Sequence, residues 1–212
     1  MNEITSKKVL EEEETVRESE NSIEQIARLI LLLATHETGH YIVTRVLVNY
    51  RKSTSIEILS EDEKQYLGAH KSTESANVQK QKEDYLNEIA VLLAGTVAEK
   101  MFLTKEFITS INIIDVENGN NDDLEKALKL ANKIAPEYCC KSRKMCKACN
   151  KWSKHLKKHF LEAARNRVLK EAEMLARRTI LKHKKQFEEV RNELIRKREL
   201  TGEELEKLYN QK

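Results

Sequence analysis

His36-Glu37-Thr38-Gly39-His40 is the stretch of this chain best equipped for chemistry. It reads H-E-x-x-H inside an apolar helical run from Ile26 to Val48. Residues four apart lie on one face of a helix, so His36 and His40 can reach a single metal ion together. Glu37 stands beside them, where a carboxylate can take a proton from a metal-activated water. That is the arrangement of a zinc peptidase, in which three protein ligands leave one position open. The motif is short and occurs by chance, and two helical histidines are often structural. A third ligand must therefore come from elsewhere in the chain.

Five carboxylates qualify: Glu88, Glu99, Asp115, Asp122 and Asp123. Glu88 and Glu99 fall on a second long helical pattern able to pack against the first. Asp122 and Asp123 stand where another helix opens, a place that favours carboxylates for capping alone. Spacing does not choose among the five.

The elements that must position these residues are mostly helical. Hydrophobic residues make up 40% of the 212, charged residues 34%, and proline occurs once. That composition fits a helical domain with charged outer faces. Residues 1–21 read as a charged tail around Glu11-Glu12-Glu13-Glu14. Ser22-Ile23-Glu24-Gln25 reads as a capping box that opens the motif helix, which runs to Tyr50 with Ile26, Leu29, Ile30 and Leu33 on its buried face. Thr54–Leu59 and Tyr66–His70 predict a small hairpin. A second long helix is predicted from Ala76 to Phe102, with Ile89, Leu92, Leu93, Val97 and Met101 buried and Gly95 serving helix packing. Ile111–Ile114 is a candidate short strand, and the cluster Asn118–Asp123 a turn. A helix from Leu124 to Ala135 is stopped by Pro136. After a Cys-rich loop at 137–150, a helix is predicted from Lys151 to Arg198, with Leu156, Phe160, Ala164, Val168, Ala172 and Leu175 on its apolar face. Thr201-Gly202-Glu203-Glu204 caps a short last helix. The fold expected is mostly α, with a small hairpin or short sheet and a long C-terminal helix. Residues 22–212 form one domain.

Four markers, in order, resemble the peptidase domain of the FtsH-type AAA proteases. That family carries H-E-A-G-H, then a helix reading L-A-G-R-A-A-E, then G-A-S-N-D-L, and closes on L-T-G-E-E-L. Here stand His36–His40, Leu93-Ala94-Gly95-Thr96-Val97-Ala98-Glu99, Gly119-Asn120-Asn121-Asp122-Asp123-Leu124 and Leu200-Thr201-Gly202-Glu203-Glu204-Leu205. The resemblance implies a helical zincin-like metallopeptidase fold and a Zn2+ site made by His36, His40 and Asp123. It implies Glu37 as the catalytic base, a polypeptide substrate and a six-fold homo-oligomer. Glu99 becomes a candidate to orient a ligand histidine. One departure is that the family's Thr-Thr before its Gly-Ala-Ser gives way to residues around Glu117-Asn118.

Other features narrow the expectation. None of the five glycines, Gly39, Gly68, Gly95, Gly119 and Gly202, is followed by lysine, so no Gly-Lys-Ser/Thr phosphate loop is present. With no ATPase module and no bilayer-length apolar run, the reading is a stand-alone, ATP-independent peptidase in the cytoplasm, without a membrane anchor. Net charge is only +3, so the basic stretch Lys141–Lys158 does not argue for nucleic acid. Cys139, Cys140, Cys146 and Cys149 are compatible with a second metal, with His155 or His159 replacing a thiol, or with a plain loop. His70 and His183 read as ordinary surface residues. The competing class is a non-catalytic zinc-binding scaffold. The intact Glu37, which metal binding alone does not need, speaks against it.

Overall fold

The computed structural model describes the backbone of residues 2–59, 68–75, 79–109, 114–140, 151 and 153–211. It describes their side chains apart from those of residues 2–22, 109, 114–121 and 139–140. The elements are α1 (Asn2–Leu47), β1 (Arg51–Ile58), β2 (Gly68–Glu74), α2 (Lys82–Phe102), α3 (Lys105–Thr109) and α4 (Ile114–Cys140). They continue as α5 (Lys154–Lys182), α6 (Lys184–Lys197), β3 (Glu199–Thr201) and α7 (Gly202–Tyr209). The expected mostly-α class with a short sheet is what the chain adopts.

Helix α1 carries the motif and lies against α2, and α2 packs in turn on α4 and α5. Small residues make the close approach possible. Ala90, Ala94 and Ala98 of α2, Ala127 and Ala131 of α4, and Ala172 and Ala176 of α5 are all buried in one core. Gly39 belongs to this contact, because a Cβ there would lie 2.6 Å from the Ala94 carbonyl oxygen. Beside the helices sits a three-stranded antiparallel sheet in the order β2-β1-β3. It buries Ile56, Ile58 and Leu200 against α1 and its neighbours.

The C-terminal elements close over the motif helix. Helix α6 packs on α1, with Phe187 stacked on Phe102 of α2 at 4.5 Å between ring centroids. Arg198 ends α6 in the left-handed region (φ 69°), which turns the chain into β3. Thr201 and Glu204 form the expected capping box, and α7 follows. The buried Tyr41 hydroxyl donates to the Leu205 carbonyl oxygen at 3.0 Å, while Arg45 forms a two-pronged pair with Glu206.

Several sequence expectations change. The capping box at Ser22 does not start a helix, since α1 runs back to Asn2. Residues 2–21 contain neither glycine nor proline and are rich in glutamate, so nothing local breaks the helix. Ile26 is 51% exposed, one turn short of the buried face that Ile30 and Leu33 form. Helix α2 begins at Lys82 instead of Ala76, with the Asp84 carboxylate accepting from the Gln81 N–H. The turn expected at Asn118–Asp123 lies within α4, and Pro136 does not stop that helix. The carbonyl that Pro136 leaves unbonded is that of Asn132, an exposed residue that water can satisfy. The helix expected from Lys151 to Arg198 is two helices, broken at His183. The break lets Phe187, Val190 and Leu194 of α6 reach the core. On α5, Ala164, Val168 and Ala172 are buried as expected, whereas Leu156 and Phe160 are exposed. Residues 111–113 of the candidate strand, residues 66–67 of the hairpin, and Cys146 and Cys149 lie outside the described residues. So do the side chains of Cys139, Cys140 and Asp115.

Candidate metal centre

The centre forms where α1, α2, α4 and β2 meet. On α1, His36 and His40 face the same way one turn apart, their ring centroids 4.7 Å apart. Each histidine is held by its Nδ1 atom. His36 Nδ1 lies 2.6 Å from Glu99 Oε1 on α2, and His40 Nδ1 lies 2.7 Å from the Val91 carbonyl oxygen. A carbonyl only accepts, so His40 must carry its proton on Nδ1. A carboxylate imposes the same tautomer on His36. Both Nε2 atoms are therefore left with lone pairs, and they meet at 2.9 Å. Asp123 Oδ2 on α4 joins them, 3.1 Å from His40 Nε2.

This donor set fits a cation. Three lone-pair donors converge with no proton of the neutral tautomers between them, an arrangement that repels itself unless positive charge fills the middle. The three ligand atoms lie within 4.8 Å of one another. Tetrahedral zinc with ligands at about 2.1 Å places its donors about 3.4 Å apart, close to the 2.9 Å and 3.1 Å that separate His40 Nε2 from the other two. In the metal-free chain His40 shows the same demand. Burial opposes its charged form, yet the Asp123 hydrogen bond and the Glu37 and Asp123 charges outweigh burial and raise its pKa. Burial likewise opposes charge on Asp123, and the pairing with His40 outweighs it, lowering the carboxyl below its ordinary range.

Glu37 is buried beside the three donors. Loss of water pushes its pKa up, against the pull of His36 and His40. Its carboxylate lies along β2. It accepts a hydrogen bond from the His70 backbone N–H, and a Cβ at Gly68 would sit 2.9 Å from Glu37 Oε1. A second glycine makes room for a ligand. A Cβ at Gly95 would come within 2.4 Å of the His36 ring. Gly95 thus serves the site directly, beyond the helix packing its sequence context indicates.

Of the candidate third ligands whose side chains are described, Asp123 is the one brought to the histidines. Glu99 stands behind His36 instead of beside the donors. Glu88 is buried in a separate network with Arg51, Lys80 and Tyr50. Asp122 is exposed and paired with Lys126. His70 and His183, expected as ordinary surface residues, are half-buried and bonded. His70 is bonded to Ser53 Oγ at 2.8 Å, and His183 to the Tyr209 hydroxyl at 3.0 Å. His155 and His159 pack ring against ring on exposed turns of α5, with no acidic ligand beside them among the described residues.

The profile of Peptidase family M41 matches residues 23–208, and the chain belongs to that family. It is 25% identical over 206 residues to the ATP-dependent zinc metalloprotease FtsH 1 of Thermoanaerobacter sp. (strain X514), covering 84% of this chain and 30% of that protein. It is 32% identical over 107 residues to the ATP-dependent zinc metalloprotease FtsH of Halothermothrix orenii, covering 50% of this chain and 15% of that protein. The chain therefore spans under a third of the length of these curated relatives. Among the described residues no helix is long and apolar enough to cross a membrane.

Proposed function

We propose that the chain is a zinc-dependent endopeptidase. The observation that carries this reading is the convergence of the His36 Nε2, His40 Nε2 and Asp123 Oδ2 lone pairs beside the buried carboxylate of Glu37. His36, His40 and Asp123 would hold Zn2+, which when bound supplies a Lewis acid for the scissile carbonyl and makes water a nucleophile at neutral pH. Glu37 accepts the attacking water's proton as the C–O bond forms and delivers it to the leaving amine nitrogen, so that the peptide C–N bond can then break. Its raised pKa suits both halves of that transfer. Glu99 and the Val91 carbonyl fix the tautomers that leave both Nε2 atoms free.

The substrate would be an unfolded or flexible polypeptide. Strand β2 is paired only on its β1 side among the described residues, and its outer edge runs along Glu37, where an extended segment can add as a further strand. The reading includes ATP-independent action and a cytoplasmic setting. Family resemblance supports a six-fold ring.

The test is zinc content and hydrolysis of a casein-type substrate by the purified chain, set against Glu37→Gln. Near-stoichiometric zinc in both proteins, with chelator-sensitive cleavage only in the wild type, is expected. Equal cleavage by both would overturn the assignment of the base.

A further inference from the structure

The strand beside Glu37 has a backbone geometry that bears on how the carboxylate is aimed. The Ile58 N–H donates to the Arg198 carbonyl oxygen at 2.8 Å, continuing the pairing of β1 with β3. Backbone groups alternate sides along a strand, so Ile56 and Ile58 present theirs to β3, and Ser55 and Glu57 present theirs to β2. Ile56 is the register partner of His70, and Ile58 that of Gly68. His70 and Gly68 therefore turn their N–H groups away from β1, to the outer edge of β2. An outer-edge N–H ordinarily goes to water. The Glu37 carboxylate stands at this edge, where a Cβ at Gly68 would sit 2.9 Å from its Oε1, and it takes the His70 N–H instead.

The His70 side chain explains why this N–H stays in place. Its Nε2 atom is bonded to Ser53 Oγ on β1 at 2.8 Å, and its ring meets Tyr41 of α1 edge-on at 6.3 Å between centroids. Tyr41 follows the ligand His40 and is itself tied to Leu205. The register of β1 shifts between Ser53 and Ser55, so the regular ladder is interrupted next to this bond. The imidazole restores a cross-strand link where the bulge weakens one. Burial disfavours charge on the ring and lowers its pKa to about 3.

Resting on Glu37 as the base, we propose that His70 is the positioning residue of the site: its ring, anchored on Ser53, holds the outer-edge N–H that aims the Glu37 carboxylate. Glu37 then meets the water from one direction instead of sampling several. Losing the anchor lowers turnover while leaving the metal ligands in place.

Site-resolved hydrogen exchange tests this without any activity, because the amide at position 70 survives in every variant. Slow exchange is expected in the wild type, with exchange roughly tenfold faster in Glu37→Ala and in Ser53→Ala, while the Ala69 and Lys71 amides that face β1 hold. In kinetics, His70→Leu should lower kcat about tenfold with zinc content unchanged. His70→Gln, whose amide nitrogen can replace Nε2, should recover to within about threefold. A position-70 amide that exchanges like a free loop in the wild type would overturn the proposal. So would protection that ignores Ser53→Ala, or a kcat that ignores His70→Leu. Protection that responds to Glu37→Ala and Ser53→Ala in a chain that cleaves nothing would overturn the peptidase reading and support the aiming contact.

Discussion

The Nδ1 atom of His36 lies 2.6 Å from Oε1 of Glu99, a residue 63 positions further along the chain. That contact ties the ligand histidine of one helix to a buried carboxylate of its neighbour. It sets the tautomer and raises the basicity of the free Nε2 atom. Glu99→Ala should weaken zinc binding by about 10- to 100-fold, and Glu99→Gln by less, since its amide oxygen still accepts from Nδ1. Competition with a chromogenic chelator measures both. Wild-type affinity in Glu99→Ala would show that packing alone orients His36.

The neighbours Asp122 and Asp123 should part company when replaced. Asp123→Ala removes a donor 3.1 Å from His40 Nε2, while Asp122→Ala removes only an exposed pair with Lys126. Zinc should be lost from the first variant and kept by the second. A bound metal also stabilises the folded state by mass action, about 2.7 kcal/mol at a concentration 100 times Kd. Added zinc should therefore raise Tm in the wild type and in Asp122→Ala but not in Asp123→Ala. Identical Tm shifts in the two variants would remove Asp123 from the ligand set.

Gly95→Ala sets two effects against each other. Alanine is favoured over glycine in a helix interior by about 1 kcal/mol. Here its Cβ would come within 2.4 Å of the His36 ring, which has to swing away. The prediction is a variant that remains folded by circular dichroism and binds zinc at least about tenfold more weakly, as loss of ligand orientation requires. Unchanged zinc affinity would mean that α2 shifts at little cost.

Thr38 offers a stability test inside the motif. Its hydroxyl is fully buried and has no hydrogen-bond partner among the described residues. Thr38→Val keeps the shape and removes the unsatisfied group, which should raise stability by about 1–2 kcal/mol. Denaturant unfolding at constant zinc reads the change, and zinc content should stay the same. A loss of stability would show that the hydroxyl is bonded in solution.

The motif helix, the second helix, the capped last helix and the histidine pair could all be read from the sequence, because each rests on local spacing. The third ligand could not be read that way. Asp123 reaches His40 only because α4 packs on α2 and α5, and the order of family markers singled it out where spacing left five choices. The roles of Gly95 and of the Ser53–His70 pair depend on contacts between elements distant in sequence, which no periodicity records. The break at His183 carries neither glycine nor proline. It follows from the gain in burying Phe187 and Val190, and no local signal announces it. Helix α4 shows the opposite failure, a proline and a turn-rich cluster that tertiary packing overrides.

The bond from the Tyr41 hydroxyl to the Leu205 carbonyl joins residues 164 positions apart. Tyr41 follows a ligand histidine directly, and it leaves the ribosome long before Leu205 is translated. Until α7 arrives, the motif helix lacks the partner that closes over it, and a contact this distant in sequence forms late. The support behind the motif helix is thus completed only after nearly all of these residues have been made. Timing built into the chain order keeps the metal-binding helix unfinished while the rest of the polypeptide emerges next to it.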